Sequence, residues 1–388
     1  MINITDKSKC CGCGACANAC PKQAIEMVED KCGFKYPQVN KELCIECGLC
    51  EKVCPYNKEY TDKKLLDKTI AYGGWIKDNN VKNTSTSGGI FTAIAKYIFE
   101  KNGVVCGAIY DDSLNVVHTI VDNEEDLKKI NGSKYVQSDM QDCFKKIRKY
   151  LNEGRYVLFS GTPCQVSGLN AYLGKEYDNL YTLDIVCHGV PSPKVFEKYK
   201  EELEKENNSK ITAINFRDKV SGWQGYSFSA SFENGKKYTI NSGANPYMKA
   251  FLHDIDLRES CPTCKFAKLP RYADFTLGDF WGVDSCYPEL NKDNKGTSLV
   301  LVHTEKGNEL LNAISEDVFL KQCDLNKAIK GNPSILKHLP PHTCREKFFD
   351  QIEEKSITEA TNEYIKNPNV LNKVINKCKK IVKKVIKR

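Results

Sequence analysis

Residues 10–21 read CCGCGACANACP and residues 44–55 read CIECGLCEKVCP, one cysteine phrase written twice near the start of a 388-residue chain. The first copy places Cys10, Cys13, Cys16 and Cys20 before Pro21; the second places Cys44, Cys47, Cys50 and Cys54 before Pro55. Both follow C-x2-C-x2-C-x3-C-P. Two residues between cysteines let a short loop wrap one inorganic centre with three thiolates. The fourth cysteine starts a helix and reaches away from that loop. The proline behind it caps the next turn and keeps a competing N–H from the site.

This is the spacing of the bacterial two-cluster ferredoxin run, in which the fourth cysteine of each copy serves the other cluster. It predicts Cys10, Cys13, Cys16 and Cys54 on one [4Fe-4S] cluster, and Cys44, Cys47, Cys50 and Cys20 on the other. Zinc would need no third cysteine at the same spacing and no repeated Cys-Pro. A disulfide framework is the remaining alternative, with many connectivities. Two complete copies in tandem rarely arise by accident.

Length allows two or three compact domains. Twenty cysteines behind the polar opening MINITDKSKC, which does not read as a signal peptide, argue for a reducing cytoplasm and for metal. No apolar run approaches the ~18 residues of a spanning helix. The net charge is +7, but residues 370–388 alone carry eight basic residues and no acid, so the rest of the chain sits at −1, that is, 7 less 8. A body without basic character weakens a nucleic-acid reading, and no nucleic-acid partner is expected.

The expected fold class is α+β. A two-cluster ferredoxin domain spans 1–62, with short strands at Ala24–Val28 and Phe34–Pro37. A mixed α/β domain spans 70–340, and a helical basic tail spans 345–388. Ser87-Gly88-Gly89 precedes an apolar helical stretch at 90–99, an arrangement that suits a phosphate at a helix start and that an ordinary capped helix also explains. Strands are expected at Val104–Tyr110 and Val116–Val121, then a turn at Asn131–Ser138 leading to a strand or extended loop. From Arg155 the pattern is α/β. The strand Tyr156–Ser160 leads through Gly161-Thr162-Pro163-Cys164 into a helix, and the strand Leu180–Val186 ends in Cys187-His188-Gly189. Thr162 as cap and Pro163 at the first helical position put Cys164 where the helix dipole favours a thiolate.

Cys261-Pro262-Thr263-Cys264 supplies a further C-x2-C pair. Cys164, Cys187, Cys261 and Cys264 are thus four cysteines at turns of one domain, a third-cluster candidate with zinc as the runner-up. Cys106, Cys143, Cys286, Cys323, Cys344 and Cys378 lack such context and read as core residues.

Ser87-Gly88-Gly89, Gly132-Ser133-Lys134-Tyr135, Gly161-Thr162-Pro163-Cys164-Gln165, Cys187-His188-Gly189-Val190-Pro191-Ser192, Cys261-Pro262-Thr263-Cys264 and Leu277-Gly278-Asp279-Phe280-Trp281-Gly282 fall in order along residues 70–335. Together they resemble the hallmark stretches of the beta subunit of coenzyme F420-reducing hydrogenase/dehydrogenase. The resemblance implies FAD and a [4Fe-4S] cluster in this domain. It implies Ser87, Gly88 and Gly89 on the FAD pyrophosphate, with Thr162 among the cofactor-binding residues. It puts Ser133, Lys134 and Tyr135 near the isoalloxazine, and Cys164, Cys187, Cys261 and Cys264 on the cluster. Lys134 would sit by the ring's N1/O2 edge and raise the flavin potential. His188, beside a presumed ligand, is the candidate proton donor.

The expected function is that of an iron–sulfur flavoprotein oxidoreductase. Single electrons from ferredoxin or a similar donor pass through three [4Fe-4S] clusters to FAD and on to an organic small-molecule acceptor. A deazaflavin oxidoreductase and a non-catalytic electron-transfer subunit are the rivals, and self-association is compatible with any of them. In 370–388 apolar residues recur at i, i+3, i+4 and i+7 with lysines opposite. That is a basic amphipathic helix suited to the inner face of an anionic membrane or to an acidic partner.

Overall fold

The structure, a computed structural model, describes residues 1–57 and 63–365. Thirteen strands occur among the described residues, numbered here in chain order. The first pair is an antiparallel hairpin, β1 (Ile25–Glu29) and β2 (Lys35–Val39), with Ile25 opposite Val39. Its turn is closed by Asp30, whose Oδ1 accepts from the backbone N–H groups of Cys32 and Phe34. This hairpin lies between the two cysteine copies, as the sequence pattern suggests.

An eight-stranded mixed sheet forms the body. Its members are β3 (Ile70–Ile76), β4 (Val104–Tyr110), β5 (Val116–Val121), β6 (Val157–Gly161), β7 (Leu180–Ile185), β11 (Phe275–Asp279), β12 (Ser298–Val302) and β13 (Val318–Cys323), in the order β13-β3-β12-β11-β7-β6-β4-β5. Neighbours β4, β6, β7 and β11 run parallel, while the pairs at either flank are antiparallel. Parallel strands covered on both faces read as continuous apolar runs, and Val157-Leu158-Phe159 is fully buried.

One face packs against the helices Ile90–Glu100 and Glu305–Ala313 through Ile94, Ile98, Leu158, Val300 and Leu310. The other packs against the helices Cys143–Asn152 and Pro163–Leu173 through Phe144, Ile147, Phe159 and Leu169. Cys11, Cys13 and Ala15 belong to that second apolar cluster. The cysteine loop of the N-terminal segment is therefore docked into the body rather than tethered beside it.

A separate three-stranded sheet, β8 (Ile211–Asp218), β9 (Ser227–Phe232) and β10 (Lys237–Asn241), is antiparallel in the order β10-β9-β8. It shares an aromatic core with the helices Pro193–Asn207 and Pro246–Leu252 and with Phe348 and Phe349. Residues 131–138 form no strand: they run as an extended segment held by an isolated bridge between Val117 and Asp139. The basic helix expected over 370–388 lies outside the described residues. No described helix is long and apolar enough to cross a membrane.

Candidate functional site

The two cysteine copies interlock. Short helices at Ala15–Ala19 and Leu49–Lys52 are each entered through a left-handed glycine, Gly14 or Gly48. One hollow is lined by Cys44, Cys47 and Cys50 of the second copy and by Cys20 of the first. Cys54 of the second copy falls in turn beside Cys10 and Cys16 of the first. Burial, with the company of Cys10 and Cys54, pushes the Cys16 thiol up to about 12. The backbone N–H groups of Ile2 and Ala24 point at the sulfurs of Cys50 and Cys20, at 3.2 and 3.3 Å.

Cys164, Cys187, Cys261 and Cys264 line a second cavity together with His188 and Arg258. The parallel strands β6 and β7 deliver the first two just beyond their carboxyl ends, where open α/β sheets place sites. Thr162 closes the start of the Pro163–Leu173 helix: its N–H donates to Gln165 Oε1 at 2.9 Å, and its Oγ1 lies 3.1 Å from Cys164 Sγ. Consecutive turns carry the other two, with Cys264 N donating to Cys261 O.

The cavity disfavours bare thiolates. Burial and the neighbouring sulfurs push Cys187 well up; burial dominates at Cys261, raised to about 12, and at Cys264, raised to about 11. The dipole expectation for Cys164 is overturned in the free thiol. Its contact with the Cys11 thiol and its burial push it well above the ordinary range. Four cysteine sulfurs lining one cavity are the donor chemistry of a metal centre, and coordination deprotonates a thiol outright. The donor set fits a cluster.

Cys11 is the fifth sulfur of this cavity. No ligand spacing singles it out along the chain. The approach is close: a Cβ added at Gly168, in the Pro163–Leu173 helix, would stand 2.8 Å from Cys13 Sγ. Only glycine lets the first cysteine loop lie this near the helix whose first turn carries Cys164.

The loops carrying Ser87 and Ser133 meet elsewhere, with Ser133 N donating to Thr86 Oγ1 at 3.0 Å. Ser87 Oγ donates to Thr297 O, and Gly88 N donates to Ser298 Oγ. Gly89 sits at φ +83 ahead of the Ile90–Glu100 helix. Two cations flank this region. Lys219 Nζ donates to Ser87 O at 3.0 Å, and burial lowers its pKa to about 8. Arg217, buried at the end of β8, pairs with Asp279 at 2.9 Å, donates to Tyr135 Oη at 3.1 Å and stacks over Tyr226. Its Nε and Nη2 have no hydrogen-bond partner among the described residues. An unsatisfied buried guanidinium edge beside a lysine suits an anionic group. The two sites adjoin: His188 packs edge-on against Phe251, and Phe251 stacks on Tyr135 at 5.0 Å.

Comparison with known proteins decides the family. The model "Coenzyme F420 hydrogenase/dehydrogenase, beta subunit N-term" matches residues 71–145, and its C-terminus counterpart matches residues 154–328. The chain belongs to this beta-subunit family. A "4Fe-4S dicluster domain" matches residues 9–58, so the family domain here follows an iron–sulfur domain of ferredoxin type. A curated relative, the coenzyme F420-dependent sulfite reductase of Methanocaldococcus jannaschii, is 27% identical over 354 residues, covering 85% of this chain. The chain spans 50% of that relative's length. A chain of the F420-reducing [NiFe] hydrogenase complex from Methanosarcina barkeri aligns with a TM-score of 0.43 and 16% identity, over 79% of this chain and 93% of that one.

Within this beta-subunit fold, two of the residues expected at the flavin have other partners. Lys134 turns back on its own loop, donating to the carbonyls of Ile130, Asn131 and Gly132, and burial lowers its pKa to about 7. The Ser87 hydroxyl is likewise taken by backbone, at Thr297 O. His188 does line the four-cysteine cavity, with Nε2 2.7 Å from Asp254 Oδ1. Arg217, Lys219 and Arg258 were missed by sequence reasoning because a basic residue on a strand or loop carries no signal until its partners are known.

Proposed function

We propose that this protein is an iron–sulfur flavoprotein oxidoreductase that moves single electrons between a ferredoxin-type donor and FAD, and electron pairs between FAD and an organic acceptor. The observation that carries it is the convergence of Cys164, Cys187, Cys261 and Cys264, from separate segments, on one cavity that the N-terminal cysteine loop also reaches. On this reading Cys10, Cys13, Cys16 and Cys54 hold one [4Fe-4S] cluster, Cys20, Cys44, Cys47 and Cys50 a second, and the four later cysteines a third.

FAD, when bound, supplies the exchange between one-electron and two-electron chemistry. The chain's residues would do the rest. Arg217 and Lys219 hold an anionic part of the cofactor beside the Ser87-Gly88-Gly89 and Ser133 loops. Tyr135 and Phe251 fill the space toward the cluster and exclude water. Thr162 braces the Cys164 turn. Lys134 holds the 130–134 loop in place through the three carbonyls its ammonium bonds. His188, whose Nε2 lies 2.7 Å from Asp254 Oδ1, is the proton donor on the cavity side.

A second reading is favoured by the name of the curated relative: the two-electron partner is coenzyme F420 itself. Because only half of that relative is spanned, its sulfite chemistry is not proposed here. In both readings the chain works with a protein partner that delivers or removes single electrons, as a free enzyme or as one subunit of a complex.

Anaerobic purification with iron, sulfide and flavin measured per chain tests the proposal. About 12 irons, four for each cluster, and one FAD are expected. A colourless protein, or one with zinc in place of iron, overturns it. Bleaching of oxidised F420 by the reduced protein distinguishes the second reading from the first.

A further inference from the structure

Arg258 occupies the seam between the first cysteine copy and the later four-cysteine cavity. It is 1% exposed. Its Nε donates to Cys10 O at 2.7 Å, and its Nη2 donates to Lys35 O at 2.9 Å and lies 3.6 Å from Cys10 Sγ. Its Nη1 donates to Gln137 Oε1 at 2.9 Å, and the guanidinium lies over the Tyr36 ring at 4.2 Å. The same side chain lines the cavity of Cys164, Cys187, Cys261 and Cys264. Among the described residues every hydrogen bond of this side chain is therefore to the N-terminal segment or to Gln137, while its own stretch of chain carries Cys261 three residues on.

Among the described residues no carboxylate pairs with this charge; the ionisable groups felt most strongly at Arg258 are Cys10, Tyr36, Cys11 and Cys261. A buried charge without an opposite partner costs several kcal/mol. Neutral carbonyls and a tyrosine ring reduce that cost without cancelling it. Two anionic metal–thiolate clusters, one on each side, would supply the missing negative charge. The hollow of Cys20, Cys44, Cys47 and Cys50 does not include Arg258 and includes the exposed Cys47.

Building on the cluster assignment proposed above, we infer that Arg258 is the electrostatic bridge of the electron path, a positioning residue whose fixed charge raises the reduction potentials of the Cys10/Cys13/Cys16/Cys54 cluster and the Cys164/Cys187/Cys261/Cys264 cluster together. The path then has an order. The Cys20/Cys44/Cys47/Cys50 cluster is the outer station, and the electron crosses into the body where the Cys10–Cys13 loop meets Cys164. Each crossing oxidises one cluster by one electron and reduces its neighbour by one, with no bond made or broken. A cation beside both clusters favours the added electron on either one, so it raises both potentials and stabilises both reduced forms.

The test is an anaerobic redox titration followed by electron paramagnetic resonance on the full chain, comparing wild type with Arg258→Gln and Arg258→Lys. Three clusters in the wild type are the control for the assignment itself; fewer than three there overturns that assignment and this inference with it. With three present, Arg258→Gln is expected to move two midpoints to more negative potential and leave the third unmoved, while Arg258→Lys, which keeps the charge, moves them less. Unchanged midpoints in Arg258→Gln overturn the inference while leaving the cluster assignment standing. So does a uniform shift of all three clusters. Loss of iron from both variants would equally overturn it, in favour of a role in assembly alone.

Discussion

Arg217 Nη1 stands 2.9 Å from Asp279 Oδ2, which joins the end of β8 to the end of β11. The other carboxylate oxygen accepts from Trp223 Nε1 at 2.6 Å, and Trp223 stacks on Trp281. Asp279 thus has both oxygens committed, whereas Arg217 keeps two of its nitrogens, Nε and Nη2, without a partner among the described residues. Removing one partner of a buried pair strands the other charge, at about 3–5 kcal/mol. Asp279→Asn is therefore expected to lower the denaturant midpoint severely. Arg217→Met is expected to cost stability as well and, in addition, to release flavin, read as absorbance per chain after gel filtration. Full flavin retention in a folded Arg217→Met protein would remove Arg217 from the cofactor site.

Cys11 and Cys164 touch and line the same cavity, but the sulfurs that act on Cys187 are those of Cys261, Cys164 and Cys264. Cys164→Ser is expected to lose about four irons per chain. Cys11→Ser is expected to keep them all. Cys54→Ser should disturb the cluster of the first cysteine copy rather than its own. Iron analysis with cluster spectra on the three variants checks this, and equal iron loss in Cys11→Ser and Cys164→Ser would make Cys11 a ligand.

Gly12 has φ +68, and a Cβ there would stand 2.8 Å from both Arg258 Nη1 and Gln137 Nε2. A left-handed alanine costs about 1–2 kcal/mol by itself, and the clash must also displace a guanidinium held by four hydrogen-bonding groups. Gly12→Ala should lower stability by more than that backbone cost. Gly14→Ala, whose nearest contact is Met140 Cβ at 3.4 Å, should lose only the backbone share. Guanidinium unfolding under anaerobic conditions compares the two, and equal losses would show that the Arg258 packing is soft.

The cysteine spacing alone made the N-terminal segment legible, because three sulfurs on one short loop are a local property of the chain. The strands β4, β5, β6 and β7 were legible for the same local reason: runs such as Val157-Leu158-Phe159 announce burial on both faces. The edge strand β13 was not, since Val318–Cys323 exposes Phe319 and alternates weakly. Lys134 shows the limit at the site. A lysine in Gly132-Ser133-Lys134-Tyr135 suggests a cation near a ligand, and the three carbonyls of its own turn that its ammonium bonds could not be read from the sequence. Arg217 and Arg258 show the converse, since their partners lie 62 and 248 residues away along the chain. Only the fold brings those partners together.

His118 and His303 are both buried, at 2% and 1% exposure, and both are held neutral. Burial lowers His303 from 6.5 to about 3, with Arg271 adding to the effect, and lowers His118 from 6.5 to about 4. His303 is clasped at both ring nitrogens, by Thr276 Oγ1 at 2.9 Å and Thr69 Oγ1 at 3.0 Å, while His118 Nε2 lies 3.1 Å from Ser160 O. In both cases the folded pKa is depressed below the unfolded one, so below pH 6.5 the unfolded chain binds protons that the folded chain refuses. Stability is then flat above that pH and falls as pH drops toward the folded values. Between pH 7.5 and 5.5 each histidine should remove about 1.4 kcal/mol, or about 2.7 kcal/mol for the two. Denaturant unfolding at the two pH values measures the total, and His303→Gln, which keeps two-ended hydrogen bonding without a titrating group, should remove about half of the difference. A pH response identical in His303→Gln and wild type would mean that this ring is not the neutral, water-free group described here.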